Sequence, residues 1–181
     1  MTNPFMPMAA LLAIVLLAPV GSAPAKNGDE QRAVSVIRQR YAAINKELAK
    51  YKAVKKELVG FSTEGGELTA YFEGPRLRKI VARFQGESGR ALEEYYYWDD
   101  ELQFVYRKDD TYTEPMSGKV ASSDETRFYF EGRKLIRWLD SRGKPMRRGS
   151  AQFGEEQNKY LSNSQLFVAG ARSGKTTIEA L

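Results

Sequence analysis

The spacing of apolar residues in the first third of the chain predicts one long amphipathic helix from Asp29 to Leu58. Apolar or aromatic side chains recur there mostly every three or four residues, at Val34, Ile37, Tyr41, Ile44, Leu48, Tyr51 and Leu58. This period matches one face of an α-helix. Asp29 is a favourable N-cap, and Gly60 can end the helix. A coiled-coil seam is the alternative interpretation, although packing of the helix across a sheet suits the tyrosines better.

From Leu68 to Leu139 the apolar pattern changes to a period of two, which is typical of β-strands. Short segments rich in aromatic and β-branched residues alternate with turn signals that contain Gly or Asp. The pattern predicts six strands: Leu68–Phe72, Leu77–Phe84, Ala91–Trp98, Glu101–Arg107, Thr126–Phe130 and Leu135–Leu139. Such short strands joined by tight turns indicate an antiparallel β-meander.

Helical spacing returns near the C-terminus, from Gly154 to about Ala169. Residues 172–181 show no comparable pattern, and we expect them to form a flexible tail. These elements together predict a single α+β domain over residues 26–171. In this domain a long N-terminal helix packs on an antiparallel meander of about six strands, and a C-terminal helix closes the fold.

A tight turn at Asp99-Asp100 fixes which side chains share a face of the central hairpin. With that turn, Tyr97 lies opposite Leu102, and Tyr95 lies opposite Phe104. Directly opposed residues point to the same face of a sheet, whereas a slip of one residue exchanges the two faces. We expect the long N-terminal helix to cover the face that carries these four side chains.

The other face of the same hairpin is the candidate ligand-binding surface, and it combines Tyr96, Trp98 and Arg107. Aromatic rings beside charged groups suit stacking against a sugar, a base or another flat ligand. The alternative is that these residues form the amphipathic outer side of the sheet or lie under the C-terminal helix. The two interpretations differ in whether Tyr96 and Trp98 are exposed together as one patch.

The N-terminus has the features of a secretory signal peptide over residues 1–25. This segment carries no charged side chain and contains an unbroken apolar stretch from Ala9 to Ala18, too short to span a bilayer as a helix. Small residues follow, and Ala23-Pro24-Ala25 is an A-x-A cleavage site. We therefore expect cleavage after Ala25 and a periplasmic or secreted protein with no transmembrane helix after processing. The uncharged start is untypical of a signal peptide, and the alternatives are an uncleaved anchor or a mis-assigned start codon.

The chain contains no cysteine and no histidine. Disulfides are therefore absent, and so are catalytic mechanisms that need a thiol or an imidazole within one chain, among them Ser-His-Asp triads and most zinc hydrolases. We identify no catalytic residue, cofactor or metal site. A non-enzymatic binding protein is the favoured function, and a carboxylate-dependent hydrolase of a cell-wall or carbohydrate substrate is the alternative.

The formal net charge is +5, and all of it lies after residue 25. A basic exported protein is attracted to anionic envelope components such as phospholipid headgroups, lipopolysaccharide or wall polymers. The segment Ser141–Ser150 concentrates this charge in candidate contact residues Arg142, Lys144, Arg147 and Arg148. A solvated loop is the alternative for this segment, and export argues against nucleic acid as a partner.

Two segments of the predicted meander resemble known proteins. Residues 94–100 with Leu102, and residues 126–132 with Leu135, Ile136 and Trp138, repeat an aromatic strand followed by an acidic turn. This pattern is similar to that of uncharacterised secreted and periplasmic bacterial proteins with aromatic β-hairpin repeats. The resemblance covers about residues 68–139. It implies a helix-on-sheet fold and no particular activity.

Overall fold

The computed structural model describes residues 25–180, so the signal peptide predicted for residues 1–25 lies outside the described residues except for Ala25. Two long helices and one eight-stranded sheet form the described chain. The elements are α1 (Ala25–Glu47), β1 (Lys52–Val59), β2 (Gly66–Glu73), β3 (Arg76–Gly86), β4 (Gly89–Trp98), β5 (Glu101–Tyr112), β6 (Val120–Glu131), β7 (Lys134–Leu139), α2 (Ala151–Arg172) and β8 (Thr177–Glu179). The predicted α+β class is confirmed, with eight strands rather than about six.

The strands follow one another across the sheet in the order β7-β6-β5-β4-β3-β2-β1-β8. Each pair of neighbours from β1 to β7 is antiparallel, and β8 runs parallel to β1. The six predicted strands correspond to β2 through β7. The predicted meander is therefore present, and β1 and β8 extend it at one edge.

The predicted helix over Asp29–Leu58 is wrong beyond Glu47, because residues 52–59 form β1 instead. In β1 the inward positions alternate, with Lys56 and Leu58 buried and their neighbours exposed. Seven residues of β1 pair with β2. Val54 and Leu58 are four residues apart, a spacing that keeps both on one face of either a helix or a strand, and sheet pairing decides between the two.

Strand β8 lies within residues 172–181, where the sequence predicts a flexible tail. Ile178 of β8 is 4% exposed and packs in the core, where Gly170 of α2 leaves room for it. A Cβ at Gly170 would stand 2.4 Å from Ile178 Cδ1. The buried Lys56 ammonium donates hydrogen bonds to the carbonyl oxygens of Ser173 and Lys175. These contacts hold the C-terminal segment against the sheet.

The two helices lie on opposite faces of the sheet, and each covers its own apolar cluster. The α2 cluster joins α2 to one face through residues that include Tyr95, Tyr97, Val105, Phe128, Tyr160 and Phe167. The α1 cluster joins α1 to the other face through Val34, Ile37, Ile44, Tyr96, Phe104, Tyr129 and Ile136. The fold therefore has three layers, helix, sheet and helix, because both faces of the sheet carry apolar side chains.

The predicted turn between β4 and β5 is present, and both of its central residues have positive φ, 51° at Asp99 and 60° at Asp100. This geometry is that of a type I′ hairpin turn. Tyr97 pairs with Leu102 as predicted. Immediately beyond this pair, a β-bulge leaves Gln103 without a partner on β4. The bulge shifts the rest of the hairpin by one residue.

The bulge makes the predicted faces of β5 wrong beyond Gln103. Tyr95 lies opposite Val105 instead of Phe104, and Phe104 lies opposite Tyr96. The face that carries Tyr95 is covered by α2, whereas the sequence assigned it to the N-terminal helix. The candidate ligand-binding face is thus the one that α1 covers.

Candidate functional site

The structure does not bring the predicted ligand-binding residues Tyr96, Trp98 and Arg107 together. Tyr96 is 2% exposed and lies under α1. Arg107 lies on the opposite face, where it pairs with the buried Glu93. The exposed patch of Tyr96 and Trp98 that the ligand-binding interpretation requires is not formed, because α1 covers Tyr96 and Trp98 is half-buried. The bulge turns Arg107 to the opposite face of the sheet.

Trp98 is half-buried between two arginine side chains. The guanidinium carbon of Arg40 on α1 lies 5.0 Å from the centre of a Trp98 ring, and that of Arg78 on β3 lies 4.6 Å from it. Arg40 also donates a hydrogen bond to Gln103 in the bulge. Cation–π contacts with one arginine of the helix and one of the sheet make Trp98 a clamp between helix and sheet rather than an open stacking surface.

The predicted basic loop folds back along the edge of β7. The backbone amide of Met146 donates a hydrogen bond of 2.8 Å to the carbonyl oxygen of Trp138, and Arg148 pairs with Glu30 of α1 at 2.7 Å. The loop thereby covers part of an edge strand. Arg148 is used in this contact, whereas three predicted contact residues stay exposed without an ion pair in the described chain: Arg142, Lys144 and Arg147.

A cleft of about 620 Å³, called the α1 cleft below, opens between α1 and the sheet. It is lined by Arg38, Tyr41, Glu94, Phe104, Tyr106, Glu125, Arg127, Tyr129 and Leu139. Glu94, Tyr106 and Arg127 lie directly opposite one another on β4, β5 and β6, so all three point to the α1 side. The volume lies within the roughly 300–1,000 Å³ of small-ligand sites.

Aromatic rings form the floor and one wall of the α1 cleft. Phe104 and Tyr129 are buried, with ring centres 4.9 Å apart. Tyr41 of α1 meets Phe104 edge to face at 5.5 Å and remains 39% exposed. Tyr106 is half-buried beside them. The cleft thus presents two partly accessible phenol rings above a packed aromatic base.

The carboxylates of the α1 cleft are held by neighbouring donors. Glu94 accepts hydrogen bonds from the Lys79 ammonium at 2.8 Å and from the Tyr96 hydroxyl at 2.6 Å. Glu125 pairs with Arg127 at 2.7 Å. These bonds fix the acidic side chains in position and leave their remaining oxygen lone pairs for a ligand.

Burial and the neighbouring Glu125 carboxylate raise the pKa of Tyr106 to about 12. The phenol therefore stays protonated at neutral pH and can donate a hydrogen bond. Desolvation lowers the pKa of Lys79, and its hydrogen bond with Glu94 opposes that shift. The cleft thus combines aromatic surface with a small set of fixed donors and acceptors.

Sequence reasoning did not select Arg38, Tyr41, Tyr106, Glu125 or Arg127. Tyr41 belongs to the predicted apolar stripe of the helix. In the predicted register, with Tyr95 opposite Phe104 and no bulge, Tyr106 shares the face of Tyr95, whereas the structure puts it opposite Glu94. One available signal is the run Glu125-Thr126-Arg127, in which two opposite charges alternate with a small residue on a strand. Alternation puts both charges on one face, which is their arrangement here.

Comparisons with protein-family models, curated protein sequences and solved structures return no match. The resemblance to secreted bacterial proteins with aromatic hairpin repeats stays a prediction.

Among residues 25–180, neither helix combines the length and apolar character needed to cross a membrane. The same residues contain no group of three or more acidic side chains placed to hold a metal ion.

Proposed function

We propose that this protein is an exported, non-enzymatic binding protein that holds a small ring-containing ligand in the α1 cleft. The observation that supports this function is the cleft itself, a concave space of about 620 Å³ between a helix and a sheet. Aromatic lining with a few fixed polar groups is the usual form of a small-ligand site. The function predicted from the sequence is retained, but we propose the α1 cleft as its site in place of Tyr96, Trp98 and Arg107.

In this proposal the ligand ring packs against the accessible faces of Tyr41 and Tyr106. Polar groups of the ligand meet the Tyr106 hydroxyl, the Glu125 carboxylate and the Arg38 guanidinium at the rim. The packed rings of Phe104 and Tyr129 exclude water from the base of the cleft. Because the walls are fixed by strand register and ion pairs, little ordering is needed on binding.

The binding proposal is tested by protein-observed NMR with a library of ring-containing fragments. We expect fragments at millimolar concentration to shift the resonances of Tyr106 and Arg127. Tyr106→Ala should abolish these shifts, and Tyr112→Ala is the control on the same strand outside the cleft, with folding of both variants checked by thermal unfolding. Fragments that bind elsewhere, or none that bind, would overturn the proposal.

The proposal of export has its own test, N-terminal sequencing of the full chain expressed in a Gram-negative host. Cleavage after Ala25 should give a periplasmic protein that begins at Lys26. Protein recovered from the cytoplasm with Met1 still present would contradict export and leave the binding proposal in place.

A carboxylate-dependent hydrolase is the second candidate, and the position of Glu94 and Glu125 in one cleft favours it. The two residues lie on β4 and β6 with β5 between them, and Glu125 is two residues along β6 from the position opposite Glu94, so their backbones are about 12 Å apart. Two carboxylates on either side of a glycosidic bond suffice for hydrolysis. Release of reducing ends from oligosaccharides that Glu94→Gln and Glu125→Gln each abolish would support this function. No release at any pH would exclude it.

A further inference from the structure

A second cleft of about 360 Å³ lies farther along α1, towards the basic loop. Its lining residues are Glu30, Gln31, Arg38, Arg137, Leu139, Gly143 and Pro145. Arg38 and Leu139 also line the α1 cleft. The two clefts therefore adjoin at Arg38 and Leu139, and together they are called the α1 groove below. From Glu30 to Tyr41 it follows the helix for about 16 Å, which is longer than a single ring requires.

Three arginines and three glutamates line the α1 groove, and the side chains of Lys79 and Arg148, which pair with two of these glutamates from outside the lining, add two positive charges. Its three lining carboxylates are already paired: Glu94 with Lys79, Glu125 with Arg127, and Glu30 with both Arg137 and Arg148. Arg38 stands where the two clefts meet, 5.8 Å from the centre of the Tyr129 ring. Within the described chain it has no acidic partner. Its guanidinium is therefore available to an anionic group of a ligand.

The loop end of the groove is more basic than the aromatic end. Gly143 lines the groove, and its two neighbours Arg142 and Lys144 are exposed. Neither side chain forms an ion pair in the described residues. A ligand that extends from the aromatic end past Arg38 thus meets further positive charge at its far end.

We propose that the α1 groove binds an anionic oligosaccharide. This inference rests on the proposed function and names its ligand class. One sugar ring packs on Tyr41 and Tyr106, its hydroxyls bond to the Glu94 and Glu125 carboxylates, and an acidic substituent pairs with Arg38. A following acidic unit lies between α1 and the loop, near Lys144.

Sugar chemistry fits the mixed lining of the groove. A pyranose ring has an apolar face for stacking on phenol rings, and its hydroxyls are donors suited to carboxylate oxygens. Those carboxylates keep free oxygen lone pairs beyond their existing pairs, and a purely aromatic ligand would remove water from these lone pairs without replacing its hydrogen bonds. Charge complementarity with Arg38 then selects acidic over neutral sugars.

The test is binding of the full-length mature chain to an array of acidic and neutral oligosaccharides, followed by calorimetry. The calorimetric probe is tetragalacturonate or the best acidic member of the array, compared with its methyl ester, which has the same rings without the charge. We expect salt-sensitive retention on acidic members and binding at least about tenfold weaker for the ester, as loss of a charged hydrogen bond predicts.

Two charge-matched pairs of variants locate the binding. Arg38→Gln should weaken binding about tenfold, whereas Lys46→Gln on the same helix should not change it. The double variant Arg142→Gln with Lys144→Gln should weaken it several-fold and reduce its salt dependence. Its control, Lys52→Gln with Lys55→Gln, removes the same charge from exposed positions at the distant edge of the sheet.

Three outcomes would overturn the inference: no retention of any oligosaccharide, equal binding of acid and ester, or unchanged binding by Arg38→Gln. If ring fragments still occupy the α1 cleft in the NMR experiment, only the ligand class is wrong and the proposed function stands. A further arm uses vesicles of phosphatidylcholine with phosphatidylglycerol. Stronger binding to these vesicles than to the oligosaccharides, lost in the loop variant and kept by Arg38→Gln, would assign the loop to a lipid surface and contradict the inference.

Discussion

The carboxylate of Glu93 and the guanidinium of Arg107 form an ion pair of 2.6 Å at the edge of the α2 layer. Only 2% of the Glu93 side chain is exposed, and the Tyr95 hydroxyl donates a second hydrogen bond to it. Arg107 also holds Asp109 with a bidentate contact. A charge this deeply buried is tolerated because each of its oxygens has a donor.

Arg107→Met should therefore lower the free energy of unfolding by about 3 kcal/mol, because it leaves a buried carboxylate unpaired. Arg127→Met is the control, since it breaks a more exposed pair and should cost no more than about 1 kcal/mol. Urea unfolding of both variants measures the difference. Equal losses of unfolding free energy in the two variants would show that the burial of Glu93 does not increase the contribution of its ion pair with Arg107 to stability.

Trp98→Leu should lower the free energy of unfolding by about 1–2 kcal/mol, because it removes two cation–π contacts between α1 and the sheet. The same substitution should speed hydrogen exchange of the α1 amides around Arg40, while exchange in α2 stays unchanged. Hydrogen-exchange mass spectrometry measures both helices in one experiment. Unaltered exchange in α1 would contradict the clamp formed by Arg40, Trp98 and Arg78.

The stability of this protein should fall in acid partly through Asp110. Hydrogen bonds from Ser123 and Arg90 are the main causes that lower the pKa of this carboxyl to about 2 from its usual 3.8. A folded-state pKa below the unfolded value stabilises the protein above about pH 4, and this contribution is lost as the pH falls towards 2. Asp110→Asn should thus lower Tm at pH 6 and match the native chain near pH 2. A constant difference in Tm across this range would contradict the linkage.

Ile178→Ala should lower the free energy of unfolding by about 2–4 kcal/mol, the usual cost of a cavity at a buried aliphatic side chain. Glu179→Ala is the control, because the side chain of Glu179, next to Ile178 in β8, is exposed. Urea unfolding compares the two variants. If residues 172–181 were a flexible tail, both variants would have the same free energy of unfolding as the native chain. The experiment therefore distinguishes a flexible C-terminus from one that packs in the core.

The sequence alone determined the features that depend on neighbouring residues. The Asp99-Asp100 turn and its Tyr97–Leu102 pair are present as predicted, because two short polar residues that tolerate positive φ select a hairpin turn locally. The strands β2 to β7 are predicted correctly for the same reason. The alternation of apolar and polar residues and the turn residues are both patterns of a few neighbouring positions in the sequence. Local signals failed at residues 52–58, where the spacing of apolar residues suits either a helix or a strand.

Only the tertiary structure decided which face each helix covers and where the proposed ligand site lies. The bulge at Gln103 reverses the direction of Phe104 and Tyr106, because the side chains of a strand alternate and one extra residue exchanges the faces. Packing against α1 then buried Tyr96 and left Trp98 half-buried. The α1 groove draws residues from α1, β4, β5, β6, β7 and the basic loop, which are far apart in the chain. Their proximity is produced by long-range pairing and packing, and no local pattern encodes it.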